Sequence, residues 1–308
     1  EDIWVSEWNE EKGEWNEAVN IGPPLNTQGP NFISSITSDG EKDVYILGNR
    51  YGKKGRMYSG ISVATLETDG SYSKPESVEV ENEYNYSPKA DFFLIPGGEA
   101  LLQSVERDDS YGGRDLDISL KEGNGWSEPV NLGGNLNTAA EEAAPFLSQD
   151  KKTLYFSSGG YSGYGGLDLY APRRLDDTYK RWSPPENMGT GINTDLDDLY
   201  FSIPSNGKHL YFTRGKVDDD TDIFRFKVDE LFIDPDNPLA SSVNHLIEEE
   251  EVMLFVNGVV KNSKEDTPMG GVKVNVERLP DGIPIGSVTS KEDGSYSFIL
   301  FPGARYGL

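Results

Sequence analysis

A pattern that returns about every 55 residues constrains this 308-residue chain more than any local propensity, because a fixed period defines an architecture. Its clearest copies are Asp115-Leu116-Asp117-Ile118-Ser119 and Gly166-Leu167-Asp168-Leu169-Tyr170. Shorter forms stand at Asp2-Ile3-Trp4-Val5 and Asp222-Ile223-Phe224, and Gly60-Ile61-Ser62-Val63 is a degenerate copy without the Asp. Aligned on the residue before the apolar one, positions 2, 60, 117, 168 and 222 lie 58, 57, 51 and 54 residues apart. Three further columns keep the same period. An aromatic leads the first, at Trp15, Tyr72, Trp126 and Trp182. A turn leads the second: Ser38-Asp39-Gly40 before Val44 to Leu47, Gly97-Gly98 before Ala100 to Leu102, Gln149-Asp150 before Leu154 to Phe156, and Asn206-Gly207 before Leu210 to Phe212. Asn-Thr pairs at Asn26-Thr27, Asn137-Thr138 and Asn193-Thr194 form the last.

Each period holds about four short strands separated by Gly, Pro, Asn and Asp turns, with no helical periodicity between them. With 34 Gly, 18 Pro and 11% aromatic residues, composition agrees with many short strands and many turns. Four-stranded units repeated radially are the blades of a β-propeller, so an all-β propeller is expected over residues 1–230. Full blades are expected near 29–80, 86–134 and 141–190, and a fourth with three obvious strands near 197–228. Residues 2–22 supply only a third and a fourth strand, so the first blade reads as incomplete within this chain.

The charge of −25, from 53 acidic and 28 basic residues, repels phosphate backbones and anionic head groups, so nucleic acid is a poor partner. Without cysteine there is no disulfide framework, thiolate metal site or cysteine nucleophile. No apolar run is long enough to span a bilayer, and Glu1-Asp2-Ile3-Trp4 lacks a signal-peptide pattern, so the expectation is a soluble piece without a direct membrane span.

Trp126-Ser127-Glu128-Pro129-Val130-Asn131-Leu132-Gly133, Asn137-Thr138, Glu142 to Pro145, Leu154 to Ser158 and Gly163 to Tyr170 resemble the WD-repeat-like, TolB-like propeller repeats of OmpA-family envelope proteins from Bacteroidota. The likeness covers about 230 residues. An acidic linker is expected over 231–251, which holds Asp234-Pro235-Asp236-Asn237-Pro238 and Glu248 to Glu251. Beyond it, Phe255 to Val260, Pro268 to Val276 and the run Asp293-Gly294-Ser295-Tyr296-Ser297-Phe298 are similar to the carboxypeptidase-regulatory-like β-sandwich, here over 252–308. At Leu308 that fold still needs one or two strands, so the sandwich is expected to be truncated at its C-terminus.

Chemistry has little material. The two histidines are His209, beside a strand, and His245, in the linker, so neither a histidine metal cluster nor a Ser-His-Asp triad is expected. Asp2, Asp117, Asp168 and Asp222 recur at one blade position and read as structural acceptors for backbone amides of a nearby turn, whereas an active site normally breaks the repeat. Asp218-Asp219-Asp220-Thr221-Asp222 reads as a solvated acidic turn, since it lacks calcium-loop spacing. The pairs Gly112-Gly113, Gly159-Gly160 and Gly165-Gly166 precede neither helix nor Lys and read as turns, not phosphate cradles. Tyr111, Tyr161 and Tyr164 on those connections suit either stacking on a sugar or partner, or ordinary loop packing.

The resulting expectation is a non-enzymatic chain with no catalytic, cofactor-binding or metal-ligating residue and no cofactor. The resemblance implies a scaffold for envelope proteins in an outer-membrane-associated complex at the periplasmic side of the outer membrane. Peptidoglycan would be reached only through an OmpA-like domain not present in this chain. The alternatives are a glycan- or cation-binding module, or a glycoside-cleaving propeller with carboxylates at one mouth of its channel.

Overall fold

Apolar and aromatic runs of four to nine residues, each bounded by Gly, Pro, Asn or Asp, fold here as antiparallel hairpins. A computed structural model describes residues 2–38, 42–123, 125–204, 207–216, 221–227, 254–279, 283–300 and 305–307. Among these the regular structure is strand throughout, apart from one 3₁₀ turn at Lys53–Gly55. The chain divides into two compact units, Glu1–Leu246 and Ile247–Leu308.

In the first unit, β1 (Trp4–Val5), β2 (Trp8–Asn9), β3 (Glu14–Trp15) and β4 (Val19–Asn20) make two short pairs, β1 with β4 and β2 with β3. Next comes a four-stranded meander of β5 (Ile33–Ser38), β6 (Asp43–Tyr51), β7 (Met57–Thr65) and β8 (Glu76–Val78). A second sheet has β9 (Asp91–Leu94), β10 (Ala100–Val105), β11 (Asp115–Glu122) and β12 (Gly125–Trp126), with β13 (Val130–Asn131) also on β11. The third sheet is β14 (Glu142–Leu147), β15 (Leu154–Ser158) and β16 (Asp168–Tyr170), extended by a Tyr170–Asn187 bridge. The fourth is β17 (Asp197–Ser202), β18 (His209–Gly215) and β19 (Thr221–Lys227).

The core lies between successive sheets, because the first three sheets of three or more strands are buried on both faces. Along β10, Ala100 and Leu102 pack with Leu116, Leu154 and Phe156 toward the third sheet, while Leu101 and Val105 pack with Ile46, Ile61 and Val80 toward the first. Strand alternation thus divides one strand between two cores. Tyr155, Leu169, Phe201 and Phe212 fill the next gap along. The leading strands β5, β9, β14 and β17 lie side by side, and serine hydroxyls tie neighbours together. Ser34 Oγ accepts from Phe92 N at 2.7 Å, Ser104 Oγ donates to the Glu142 carbonyl at 2.7 Å, and Ser157 Oγ donates to the Asp198 carbonyl at 2.9 Å. Three of these strands carry a bulge near the same place, and in two of them a non-glycine residue there adopts positive φ: Ala144 (51°) and Tyr200 (54°). A bulge turns side chains that regular pleating would have kept on one face.

The second unit contains β20 (Leu254–Val259), β21 (Lys273–Leu279), β22 (Ile283–Thr289), β23 (Ser295–Leu300) and β24 (Arg305–Gly307), arranged as a β20–β23 pair and a β22–β21–β24 sheet. The Asp293-Gly294-Ser295 run forms the turn into β23. Asp293 Oδ1 accepts from the backbone N–H and hydroxyl of Ser295, and Gly294 has φ of 76°, a backbone state glycine adopts without steric cost. Residues 231–251, with His245, lie outside the described residues, as do Asp39 and Gly40, Asn206 and Asp218 to Asp220.

Candidate functional site

The recurring polar residues build one clasp three times. Asn137 Oδ1 accepts from Leu116 N at 2.8 Å while its Nδ2 donates to the Leu116 carbonyl at 3.0 Å and to Asn131 Oδ1 at 2.8 Å. Asn193 repeats all three bonds with Leu169 and Asn187, and Asn26 repeats them with Ile3 and Asn20. The Asn137 and Asn193 clasps join the lead-in of one sheet to the third strand of the sheet before, and the Asn26 clasp joins the lead-in of the first sheet to Ile3 at the start of the β1–β4 pair. Five residues ahead of Asn20, Asn131 and Asn187 stand Trp15, Trp126 and Trp182, each paired back across its hairpin, to Trp8, Lys121 and Arg174.

The clasp resets the alignment of the acidic column. The carboxylates next to the clasped residues are Asp2, Asp115 and Asp168. Asn20 and Asn131 donate to the first two at 2.9 and 2.7 Å, whereas Asn187 Nδ2 makes no hydrogen bond to the third. Asp115 and Asp168 also accept from the backbone N–H of Tyr111 and Tyr164. Burial pushes both carboxyls up, and these hydrogen bonds oppose the shift. Amide capping therefore belongs to Asp115, not Asp117, which sits two residues further along the same strand face. Asp222 is exposed at the start of β19, opposite Arg214.

Asp117 has no counterpart in the other sheets. It is 1% exposed, and neither carboxylate oxygen has a hydrogen-bond partner. Arg107 Nε lies 3.6 Å from Oδ2 and is itself unpartnered. Desolvation, reinforced by Asp109 and Asp115 and opposed by Arg107, pushes the Asp117 carboxyl up to about 7.

A second concentration of polar chemistry lies against the leading strands. A cavity of about 610 Å³ is lined by β5, β9, β14 and β17, with Ile33, Ile36, Phe146 and Tyr200 among its apolar walls and Asp43 and Asp91 among its carboxylates. Among the described residues no Lys or Arg lines it. Asp91 Oδ2 accepts from Arg114 Nη1 at 2.7 Å and from Ala144 N at 3.1 Å, and the Tyr200 hydroxyl donates to Oδ1 at 3.4 Å. Arg114 Nε in turn donates to Glu141 Oε1 at 2.5 Å. Burial works against the Arg114 charge, but Asp91 and Glu141 outweigh it and hold the guanidinium protonated. This network escapes sequence reading because its members come from three separate strand ends; the one local signal is an acid directly before the apolar run Phe92 to Ile95.

Among the described residues no three His, Asp or Glu side chains converge as a metal site. His209 sits on β18 with its ring 6.4 Å from that of Tyr211. Tyr161 is anchored through its hydroxyl to the Asn135 and Leu136 carbonyls, while the Tyr111 and Tyr164 rings remain more than half exposed. No helix among these residues is long and apolar enough to cross a membrane.

No family model and no curated protein matches the chain. Among solved structures it is similar to TolB of Acinetobacter baumannii, at 13% identity and a TM-score of 0.39, over 70% of this chain and 44% of that one. The chain therefore spans less than half the length of that protein. It is also similar to a GH43 β-1,3-galactosidase, at 11% identity and 0.40, over 96% and 75% of the two chains. A third is the periplasmic gluconolactonase of Pseudomonas aeruginosa, at 10% identity and 0.35, over 98% and 77%. The similar structures are thus both TolB-like propellers and propeller enzymes.

That corrects the expectation of a non-enzymatic chain. The exclusion rested on scarce histidine and absent cysteine, and glycoside cleavage by carboxylates needs neither. Scarce histidine and absent cysteine therefore do not exclude catalysis.

Proposed function

We propose that residues 1–230 are a TolB-like propeller of four-stranded blades and residues 252–308 a carboxypeptidase-regulatory-like β-sandwich, together serving as a protein-interaction scaffold in an envelope complex. In this reading the chain belongs to a longer OmpA-like protein at the periplasmic side of the outer membrane. It reaches peptidoglycan through a domain not present in this chain. The observation that supports the reading best is the cavity on the leading strands. Its main carboxylate, Asp91, is consumed by Arg114, a backbone amide and Tyr200, so it braces the wall, while Ile36 and Tyr200 stand 53% exposed beside it. A recess with fixed walls, apolar contacts and one further carboxylate, Asp43, suits a partner segment carrying apolar side chains and a basic one.

The test is photo-crosslinking in intact cells from a reactive residue placed at Ile36 or Tyr200. The expected result is a discrete adduct with an envelope protein, lost when the same residue is placed at exposed Ile223, away from the cavity. Recovery of the uncrosslinked chain alone from both cavity positions overturns the scaffold reading.

A further inference from the structure

Between the first and second sheets, Arg107 holds the loop that connects them. Its side chain is 4% exposed. Nη1 donates to the Asn82 carbonyl at 3.0 Å, Nη2 donates to Glu128 at 3.2 Å, and the guanidinium lies 4.1 Å over the Tyr84 ring. Next along that loop, Tyr86 N donates to the Glu106 carbonyl at 2.9 Å, and the Tyr86 hydroxyl donates to Asp108 at 2.8 Å. The Tyr86 ring is 62% exposed, so the loop presents a fixed aromatic face to solvent. The guanidinium Nε makes no hydrogen bond: it lies 3.6 Å from the partnerless Asp117 carboxyl, too long for one, and 3.9 Å from the exposed Asp109.

We infer that Arg107 and Asp117 form a proton-operated latch that sets the position of residues 82–86, and with it the exposed Tyr86. With Asp117 neutral, only the solvent-exposed Asp109 acts on Nε, across 3.9 Å, and the guanidinium stays bonded to Asn82, Glu128 and the Tyr84 face. When Asp117 releases its proton to solvent, a buried carboxylate stands beside a buried cation with an unused N–H. Closing the gap of about 0.8 Å to a normal charge-assisted bond draws the guanidinium away from the loop. The charged and titratable groups facing Asp117 are few. Asp109 and Asp115 disfavour its ionisation and Arg107 favours it, while Glu128 and Tyr84 act on the far side of Arg107. Gln103 and Asn131, opposite Asp117 on β10 and β13, are neutral and already engaged with Ser119 and Asp115. The Arg50–Glu83 pair on the same loop is a separate anchor, and burial raises its carboxyl.

Hydrogen exchange of the Tyr86 amide, corrected for intrinsic base catalysis, tests this on the full chain between pH 5.5 and 8.5. Protection should fall roughly tenfold as pH rises through 7, as expected for loss of one hydrogen bond to a charged group. In Asp117→Asn it should stay at the low-pH level across the range. A wild-type amide whose protection does not change, or an unchanged transition in the variant, overturns the latch. Carboxyl ¹³C shifts of the wild-type protein decide the matter independently of whether the variant folds: an Asp117 that titrates near 4 overturns it, and one that titrates near 7 together with the loop amides supports it.

Discussion

Replacing Asn137 by Ala removes three hydrogen bonds, but the cost follows from what is left without a partner. The Leu116 carbonyl keeps a second donor, Leu132 N, at 3.0 Å, and Asn131 Oδ1 keeps Gly133 N at 2.8 Å. Leu116 N–H loses its side-chain acceptor on a residue that is fully buried. One orphaned buried donor costs about 1–3 kcal/mol, and the weakened Asn131 and a small void add to it, so the expected loss is roughly 2–3 kcal/mol. Asn193→Ala should cost the same, since Leu169 is equally buried and likewise keeps Met188 N on its carbonyl. Asn26→Ala should cost less, about 1 kcal/mol, because Ile3 sits on a two-strand pair at 9% exposure, where water replaces the lost bond more readily. Asn137→Asp keeps the acceptor for Leu116 N but sets a carboxylate against two carbonyl-type oxygens, so at neutral pH it should be at least as damaging as Ala. Urea unfolding followed by tryptophan fluorescence gives the loss, and exchange of the Leu116 amide localises it. An Asn137→Ala protein within about 0.5 kcal/mol of wild type, with Leu116 still protected, would refute the claim that the clasp holds neighbouring sheets together.

Three other outcomes are expected. Gly165→Ala should destabilise by about 2 kcal/mol or more, because the new Cβ falls 2.1 Å from the Leu196 carbonyl oxygen and 2.4 Å from that of Thr194; a neutral effect on the urea midpoint would contradict so close a backbone approach. Arg114→Met should cost roughly 3 kcal/mol by stranding Asp91, and adding Asp91→Leu should recover most of it; a double-mutant cycle without coupling would remove Arg114 from its bracing role. Asp117 has a raised pKa in the folded chain, so the folded state binds an extra proton between about 3.8 and 7 and stability drains away as pH rises across that window, by roughly 4 kcal/mol. Asp117→Asn should therefore match wild type near pH 4 and exceed it at pH 8, and equal urea midpoints at pH 8 would contradict the burial argument.

The clasps and the tryptophan column were legible in the sequence because each copy needs the same side chain at the same offset. Asn137 and Asn193 stand out as Asn-Thr pairs, and Trp126 and Trp182 hold the same distance from the Asn that follows. The acidic column was misaligned at Asp117 for a simple reason. In Asp115-Leu116-Asp117-Ile118 both acids precede an apolar residue, so a period of two offers two registers, and only the partner across the sheet boundary, Asn137 on Leu116, chooses between them. Asp91, Arg114 and Glu141 were invisible for a different reason: they meet through tertiary placement, and the bulge that brings Ala144 N to Asp91 needs no glycine to announce it.

The clasps also decide where this chain tolerates being cut. Each lies in one short stretch, residues 3–26, 116–137 or 169–193, and each bridges two sheets within it. A break in the turn between β14 and β15, at Asp150 or Lys151, leaves every clasp inside a single fragment, so what must re-form across it is strand pairing, the shared core and single bonds such as Asn135 to Trp182 and Ser158 to Glu142. A break at Gly123 parts Leu116 from Asn137 and leaves each half with a buried polar group whose partner is on the other chain. As a unit for permutation or splitting, the array is therefore marked off by its side-chain straps rather than by its sheets.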